Sequence, residues 1–530
     1  MGRVVGIDLG TTYSCLAYLE GIDPKVIPNL EGLPTSPSMV SFTPMGEQLI
    51  GTLAMRQALT NPDKTIYAVK RLMGKKFSSS EIQSFISRIP YKLIEAPNGD
   101  ILIDLGSNHI SPQEISSMII RYLKRCAESY FGEKVTEAVI TVPAHFDDHQ
   151  RQATKDAAKI AGLDVLRIIN EPTAASLAFG LEQKKNGTIA VYDFGGGTFD
   201  ITILEINDGV FHILSTNGDT FLGGEDFDTR IVDWLLEEFR HETGIELVKD
   251  KFALQRIRES AEKAKRELSY TFESEIHLPF ITSDKSGSKH MKKTLTRRNL
   301  EELTIDLVKK TFPKIEQALD DSRLAIENID CVILVGGQSR MPLIKKMLKE
   351  FFRKEPIDSI NPDEAVAIGA AIQSGILEGR MSDIVLLLDV TPISLGIETE
   401  NDRFVKIIEK NTTIPTKKST AFTTVEDNQR RVRIHVLQGE EETASQNTSL
   451  AVFDLVGIEF APAGVPQIDV TFEIDADGLV RVSAKDVVTR REQGIEVRPS
   501  SGLSAHEVNQ IIKRTQEETE VDDQDETGLL

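Results

Sequence analysis

The sequence has little of what would place it among secreted, membrane-spanning or nucleic-acid-binding proteins. Three cysteines occur in 530 residues, Cys15, Cys126 and Cys331, far apart and with no C-x-x-C pair. Such an odd, scattered set suggests neither a disulfide framework nor a thiolate zinc site, and it suits a reducing compartment. No apolar run approaches the roughly 18 residues a membrane span needs, and Met1-Gly2-Arg3-Val4-Val5-Gly6-Ile7-Asp8 meets an acid before a signal-peptide core can form. A cytoplasmic location is the expectation. Positive charge is also short: 61 Lys and Arg against 82 Asp and Glu leave a net charge of −21. That field repels a duplex or an anionic lipid surface, so neither nucleic acid nor membrane is expected as a partner. Two nucleotide signatures are missing as well, G-x-x-x-x-G-K-[ST] and G-x-G-x-x-G.

What remains is a globular composition, 40% hydrophobic and 27% charged, in a chain too long for a single core, which rarely grows past about 300 residues. Up to about residue 380, β-rich runs (Val4 to Leu9, Ala138 to Val142, Thr188 to Tyr192, Cys331 to Val335) alternate with helical patterns, the rhythm of an α/β domain. The clearest helix opens at Ser111-Pro112-Gln113-Glu114, a capping box with Pro at its first position. Ile115, Met118, Ile119, Tyr122, Leu123 and Cys126 follow at helical spacing, and Gly132 stops it.

Beyond that point the texture becomes that of an antiparallel β domain. Arg431-Val432-Arg433-Ile434-His435-Val436 alternates, and Asp477-Gly478 signals a hairpin between Thr471-Phe472-Glu473-Ile474 and Leu479-Val480-Arg481-Val482. Between the halves, Asp383-Ile384-Val385-Leu386-Leu387-Leu388-Asp389 reads by composition as a buried strand and by position as a docking linker. Ser504-Ala505-His506-Glu507 is a second capping box, opening a helix with Val508, Ile511 and Ile512 on one face. The acidic segment Glu517 to Glu526 that follows is expected to be solvated and frayed.

A phosphate-binding device of another kind is present twice. Gly6-Ile7-Asp8-Leu9-Gly10-Thr11-Thr12 and Val191-Tyr192-Asp193-Phe194-Gly195-Gly196-Gly197-Thr198 share one plan: an apolar strand, an Asp at its end, then a glycine turn closing on threonine. Glycines let the backbone approach closely and successive N–H groups make an anion-binding concavity, while the Asp can hold magnesium or its waters. One copy alone reads equally as a hairpin turn. Two copies point to paired subdomains around a nucleotide. A third turn, Val335-Gly336-Gly337-Gln338-Ser339-Arg340, follows the strand ending at Val335, where α/β proteins bind ligands. The charged run Glu262-Lys263-Ala264-Lys265-Arg266-Glu267 reads by itself as a solvated helix face.

Ile169-Asn170-Glu171-Pro172-Thr173-Ala174-Ala175, Asp193 to Asp200, Leu386-Leu387-Leu388-Asp389-Val390-Thr391-Pro392 and Asn411-Thr412-Thr413-Ile414-Pro415 together resemble the 70-kDa heat-shock chaperone family of DnaK type, from about Val4 to about Ile512. The resemblance implies an actin-like (ribonuclease-H-like) two-lobed ATPase over residues 1-382, an interdomain linker at 383-389 and a peptide-binding antiparallel β-sandwich at 390-502. It leaves a short C-terminal helix, a truncated lid, and an acidic tail at 503-530. The implied function is that of an ATP-dependent chaperone in protein folding and stress response, which binds extended hydrophobic segments of unfolded clients and works with a J-domain co-chaperone and a nucleotide-exchange factor. ATP or ADP, Mg²⁺ and K⁺ are the implied cofactors.

By the same resemblance, Asp8 and Asp193 hold Mg²⁺ through waters, with Asp200 beside them. Thr11, Thr12, Thr198, Gly10, Gly195, Gly196 and Gly197 cradle phosphates, Lys70 stabilises the transferred phosphoryl, and Glu171 links hydrolysis to the interdomain switch. Glu262, Lys265, Arg266, Ser269, Gly336, Gly337, Arg340 and Asp363 resemble the adenosine pocket. Pro143 and Arg151 match a switch pair, and Arg167, Asn170, Thr173 and Asp389 match the surface where linker and J-domain partners meet. Ile397, Phe422, Val432 and Ile434 match the apolar peptide pocket, under an arch of Glu400 and Val425. The sequence departs from the family at Tyr13, at His145, Asp147 and His149 near the linker surface, and at Glu400, where the arch usually has an aliphatic side chain. The rival reading, a sugar-type kinase or filament ATPase on the same fold, has no use for the β domain after Asp389.

Overall fold

The computed structural model describes residues 3–106, 108–183, 186–285, 287–358, 361–381, 385–496 and 502–515. The expected boundaries near residues 383 and 502, and the acidic segment Glu517 to Glu526, fall wholly or partly outside them.

The N-terminal part is two α/β lobes built on one plan. In the first, Val4–Asp8 pairs parallel with Glu137–Val142 and antiparallel with Tyr13–Glu20. In the second, Gly187–Phe194 pairs parallel with Cys331–Val335 and antiparallel with Phe199–Asn207. The central strands are covered on both faces, which is why they read as unbroken apolar runs rather than alternating ones: Val5, Ile7, Ala190, Val191 and Tyr192 are all fully buried. Between the lobes, helices Glu171–Gln183 and Ala365–Leu377 pack at backbone distance. Gly369 makes that approach possible, since a Cβ there would overlap the backbone of Ala174. Helix Pro112–Phe131 carries the expected capping box: Glu114 N donates to Ser111 Oγ at 3.2 Å and Ser111 N to Glu114 Oε2 at 2.9 Å.

The C-terminal part contains two four-stranded antiparallel sheets. One runs Arg403–Ile408, Leu395–Thr399, Arg431–Gln438, Thr448–Val456; the other runs Thr416–Phe422, Ile468–Ile474, Val480–Asp486, Glu492–Glu496. Leu395, Ile397, Ile434, Val436, Phe472 and Val482 belong to one buried cluster between them. The hairpin signalled by Asp477-Gly478 forms, but its loop is longer than the two-residue turn that pair suggests. Asp475 Oδ1 accepts from the amides of Asp477 (2.9 Å) and Leu479 (3.0 Å), so the side chain organises the turn and leaves Asp477 free to reach outward.

Leu386–Val390 joins the two parts. It pairs parallel with Val210–Asp219 of the second lobe and antiparallel with Thr413–Ile414 of the β domain, so one sheet crosses from the ATPase-like part into the other. Residues 505–515 form a helix whose capping box is made as expected, with Glu507 N on Ser504 Oγ at 3.2 Å. Its Val508 and Ile511 pack on Ile160 of the first lobe, and Arg514 pairs with Glu114.

Candidate functional site

The two glycine turns face each other across the gap between the lobes and wall a cleft of about 400 Å³. Asp8, Gly10, Thr11, Thr12, Lys70, Glu171, Asp193, Gly195, Gly196 and Thr198 line one end. Glu262, Lys265, Arg266, Ser269, Gly336, Gly337, Arg340 and Asp363 line the rest. Two expected residues stand behind the wall. Gly197 holds the lobes together at close quarters, because a Cβ there would lie 2.5 Å from Thr11 Cγ2. Asp200 pairs with Asp193 across the strand register, and its Oδ1 accepts from His145 N at 3.1 Å.

The phosphate end is crowded with buried acid. Glu171, Asp193 and Asp200 are each less than 10% exposed, Asp8 is partly buried, and the one lysine among them, Lys70, lies 2.5 Å from Glu171 Oε1. Burial first and Glu171 next push the carboxyls of Asp8 and Asp200 up to about 7, and push Asp193 well above the carboxylate range. Asp193 Oδ2 is buried with no hydrogen-bond partner among the described residues. An orphaned carboxylate oxygen amid like charges fits a cation brought in from outside, and the glycine turns beside it fit an anion. Among the described residues, no group of three or more His, Cys, Asp or Glu could ligate a metal directly, so hydrated Mg²⁺ carried by a nucleotide suits this donor set better than a bare ion.

At the other end, Lys265 Nζ holds Asp228 and Gly224 O, each at 2.9 Å, and Arg340 bonds Asn361 and Asp363, each at 2.7 Å. Tyr13 has a place here too: Arg266 lies over its ring at 5.8 Å and bonds its hydroxyl at 3.3 Å, tying the first turn to helix Lys251–Glu267 of the opposite lobe. Sequence reasoning missed Gly224, Glu225 and Asp228, which also line the cleft. The available signal was Gly223-Gly224 at the start of helix Gly224–Thr243: Gly224 N donates to Gly195 O (3.0 Å) and Glu225 N to Gly196 O (2.9 Å), bracing the second glycine turn.

From Glu171 a chain of contacts leads out of the cleft. Its neighbour Asn170 donates to both oxygens of Asp389 on the linker strand (3.0 and 3.1 Å), and Thr173 Oγ1 adds a third bond at 3.3 Å. Arg151 donates to Asn170 Oδ1 at 2.6 Å and to the carbonyl oxygens of Ala144 and Phe146, which flank the turn after Pro143. Arg167 and Lys155 both pair with Asp477 of the β domain, at 3.4 and 2.8 Å. Asp477 was legible only as a turn residue, because nothing local marks a carboxylate that works on a distant lobe.

On the β domain, Ile397 and Ile434 sit in the core at 4% and 2% exposure, with Phe422 and Val432 packed against them. Val425 is 54% exposed, and Glu400 lies exposed in the turn after Leu395–Thr399.

A family model described as Hsp70 protein matches residues 4–528. The chain belongs to the Hsp70 family. Membership supports a chaperone function in protein folding and an actin-like ATPase fold. Hsp70 proteins are ATPases that bind ATP or ADP with Mg²⁺ and work with client peptides and co-chaperones. No helix among the described residues is long and apolar enough to cross a membrane.

Proposed function

We infer that ATP hydrolysis in the cleft drives binding and release of extended apolar segments of client proteins on the β domain, with the linker strand as the coupling element. In this reading residues 1-382 are the ATPase domain, 383-389 the linker, 390-502 the peptide domain and 503-530 a truncated lid helix with an acidic tail. A J-domain protein and an exchange factor set the pace in the cytoplasm. The observation that carries the proposal is the run Lys70–Glu171, Asn170–Asp389, with Asp389 inside a sheet shared by both parts.

Phosphoryl transfer depends on positioning and charge neutralisation more than on covalent chemistry. Gly10, Thr11, Thr12, Gly195, Gly196, Gly197 and Thr198 bind and orient the phosphates. Asp8 and Asp193, with Asp200 behind them, would hold Mg²⁺, which supplies charge neutralisation when bound; K⁺ is a further candidate for the same acidic end. Lys70 orients the attacking water and offsets charge on the transferred group. Glu171 shares Lys70 with that group, so its carboxylate reports on the phosphate. The adenosine lies among Glu262, Lys265, Arg266, Ser269, Gly336, Gly337, Arg340 and Asp363. Asn170 neighbours Glu171 on the chain, and movement of Glu171 therefore alters the grip of Asn170, Thr173 and Arg151 on the linker, while Pro143 and Arg167 fix the flanks. On the β domain, Ile397, Phe422, Val432 and Ile434 take an apolar side chain, and Glu400 and Val425 close over the client backbone.

The test is steady-state ATPase with an unfolded apolar peptide against the same assay with glycerol or hexoses. The proposal expects stimulation by the peptide alone. Stimulation by a small hydroxylic acceptor, with its phosphorylation, would replace the chaperone reading by a kinase.

A further inference from the structure

The β domain carries a second chemically organised cluster, remote from the nucleotide cleft. Glu398 Oε2 lies 2.6 Å from His435 Nδ1, and His435 Nε2 lies 2.8 Å from Ser449 Oγ. Strand alternation alone does not assemble this line. Ile397 pairs with Val436 on the inner face, which puts Glu398 and His435 together on the outer one. His435 stands opposite Val452; two residues on, strict alternation would turn Leu450 outward and Ser449 into the core.

A bulge between Val436 and Leu437 reverses that parity, pairing Leu437 with Ser449. Leu450 and Ala451 therefore both point inward, at 0% and 4% exposure, and Ser449 swings out beside His435. Bulges re-aim side chains in this way and recur beside active sites. The floor next to the cluster is apolar: Phe404, opposite Glu398, packs with Leu437, opposite Ser449, and with Ala444.

A carboxylate on Nδ1 fixes the tautomer, because it can only accept; Nε2 is then left to accept the serine proton. Nucleophile, base and orienting acid in hydrogen-bond sequence is the geometry of serine acyl transfer, which recurs on unrelated folds. We propose that Ser449 is a nucleophilic hydroxyl that takes the acyl group of small activated esters, with His435 as general base and Glu398 as its positioning residue. Ser449 Oγ bonds to the acyl carbon while its proton passes to His435 Nε2. The ester C–O bond breaks, and the departing oxyanion takes that proton. Water, activated by the same nitrogen, later adds to the acyl-serine and releases the carboxylic acid and the free hydroxyl. Ser449 is exposed, and the side chains of His435 and Glu398 are 27% and 40% exposed, so a small acyl donor reaches them directly. The activity is independent of ATP.

An internal control exists on the other sheet. Ser419 Oγ and Thr471 Oγ1 make a cross-strand pair at 2.7 Å with no imidazole in the bond. The full chain, without nucleotide, is mixed with p-nitrophenyl acetate; release of nitrophenolate is followed in a stopped-flow instrument and the acetyl group is located by peptide mass mapping. The expected result is a burst that acetylates Ser449 and leaves Ser419 unmodified. Ser449→Ala abolishes the burst, and His435→Gln slows it about 10²-fold, the usual contribution of a general base. Glu398→Gln slows it while leaving Ser449 as the acetylated residue, a split that loss of folding would not produce. Absence of a burst, acetyl groups on lysines alone, or a wild-type burst in His435→Gln would each overturn the proposal.

Discussion

Lys70 is set among four acids, of which Glu171, Asp193 and Asp200 are buried and Asp8 partly so, and it is held by one of them, Glu171. A positive charge in so dry a site acts strongly on charge that develops in the transition state, and removing one such group commonly costs roughly 10²–10³ in rate. Lys70→Ala should lower single-turnover ATP hydrolysis by about that factor. Nucleotide affinity should change little, because the glycine turns and the far end of the cleft make most of the contacts. Hydrolysis within a few-fold of wild type would remove Lys70 from the chemistry. The same substitution strands Glu171 beside Asp8 and Asp193. Breaking a buried pair in this way typically costs about 3 kcal/mol, so the nucleotide-free protein should also melt earlier. Thermal unfolding without nucleotide checks this second effect separately.

Helix Asp148–Ile160 shows what one element contributes beyond its own stability. Asp147 caps it, accepting from Gln150 N at 2.9 Å, which gives the departure at this position a plain local role. The next residue, Asp148, faces the β domain: Oδ1 accepts from Val480 N at 2.9 Å, and Oδ2 is buried with no hydrogen-bond partner among the described residues. Burial there raises its carboxyl to about 8, with Asp147 and Asp475 adding to the rise and Arg151 opposing it. An acid whose pKa is raised by docking favours the docked arrangement at low pH and loses that contribution as pH climbs towards 8. His145, near Lys75, Lys314, Lys410 and Glu440, is pulled down by burial to about 4, so it works against docking only as pH falls below about 6.5. Docking therefore weakens from about pH 6.5 to pH 8, by at most about tenfold per unit, while below about pH 6.5 His145 and His149, both pulled down by burial, oppose the gain from Asp148. Interdomain distance measured by fluorescence transfer across that range should follow this curve, and Asp148→Asn should flatten its alkaline limb; an unchanged limb would remove Asp148 as the cause.

Legibility at this scale followed locality. The capping boxes at Ser111 and Ser504, the strand at Val4 and the paired glycine turns depend on neighbours in sequence, and they stood out. Asp148, Asp477 and Asp228 act on partners on other elements, far away in the chain, and no local pattern marks them. His145 and Asp147 attracted notice only as departures from a family pattern. Their contacts, an amide on Asp200 and a helix cap, needed coordinates.

At the scale of the whole molecule, the decisive feature is a sheet that does not respect the domain boundary. Leu386–Val390 lies between Val210–Asp219 and Thr413–Ile414, and Asp389 is fastened to Asn170 and Thr173 beside the cleft between the lobes. The alternation of composition along the chain indicated two kinds of domain but not their joint. An apolar run between acids is compatible with a core strand as well as with a linker, and only its pairing partners distinguish them. If this strand carries the message, nucleotide state must change how the β domain holds a client, and loosening Asp389 must blunt that change. The most direct measurement is stopped-flow release of a fluorescent, aliphatic-centred peptide from the full chain after mixing with ATP or with ADP, repeated for Asp389→Asn. The account predicts release at least tenfold faster in ATP than in ADP for the wild type, and a ratio near one for the variant. Equal release rates in ATP and ADP for the wild-type chain would contradict it.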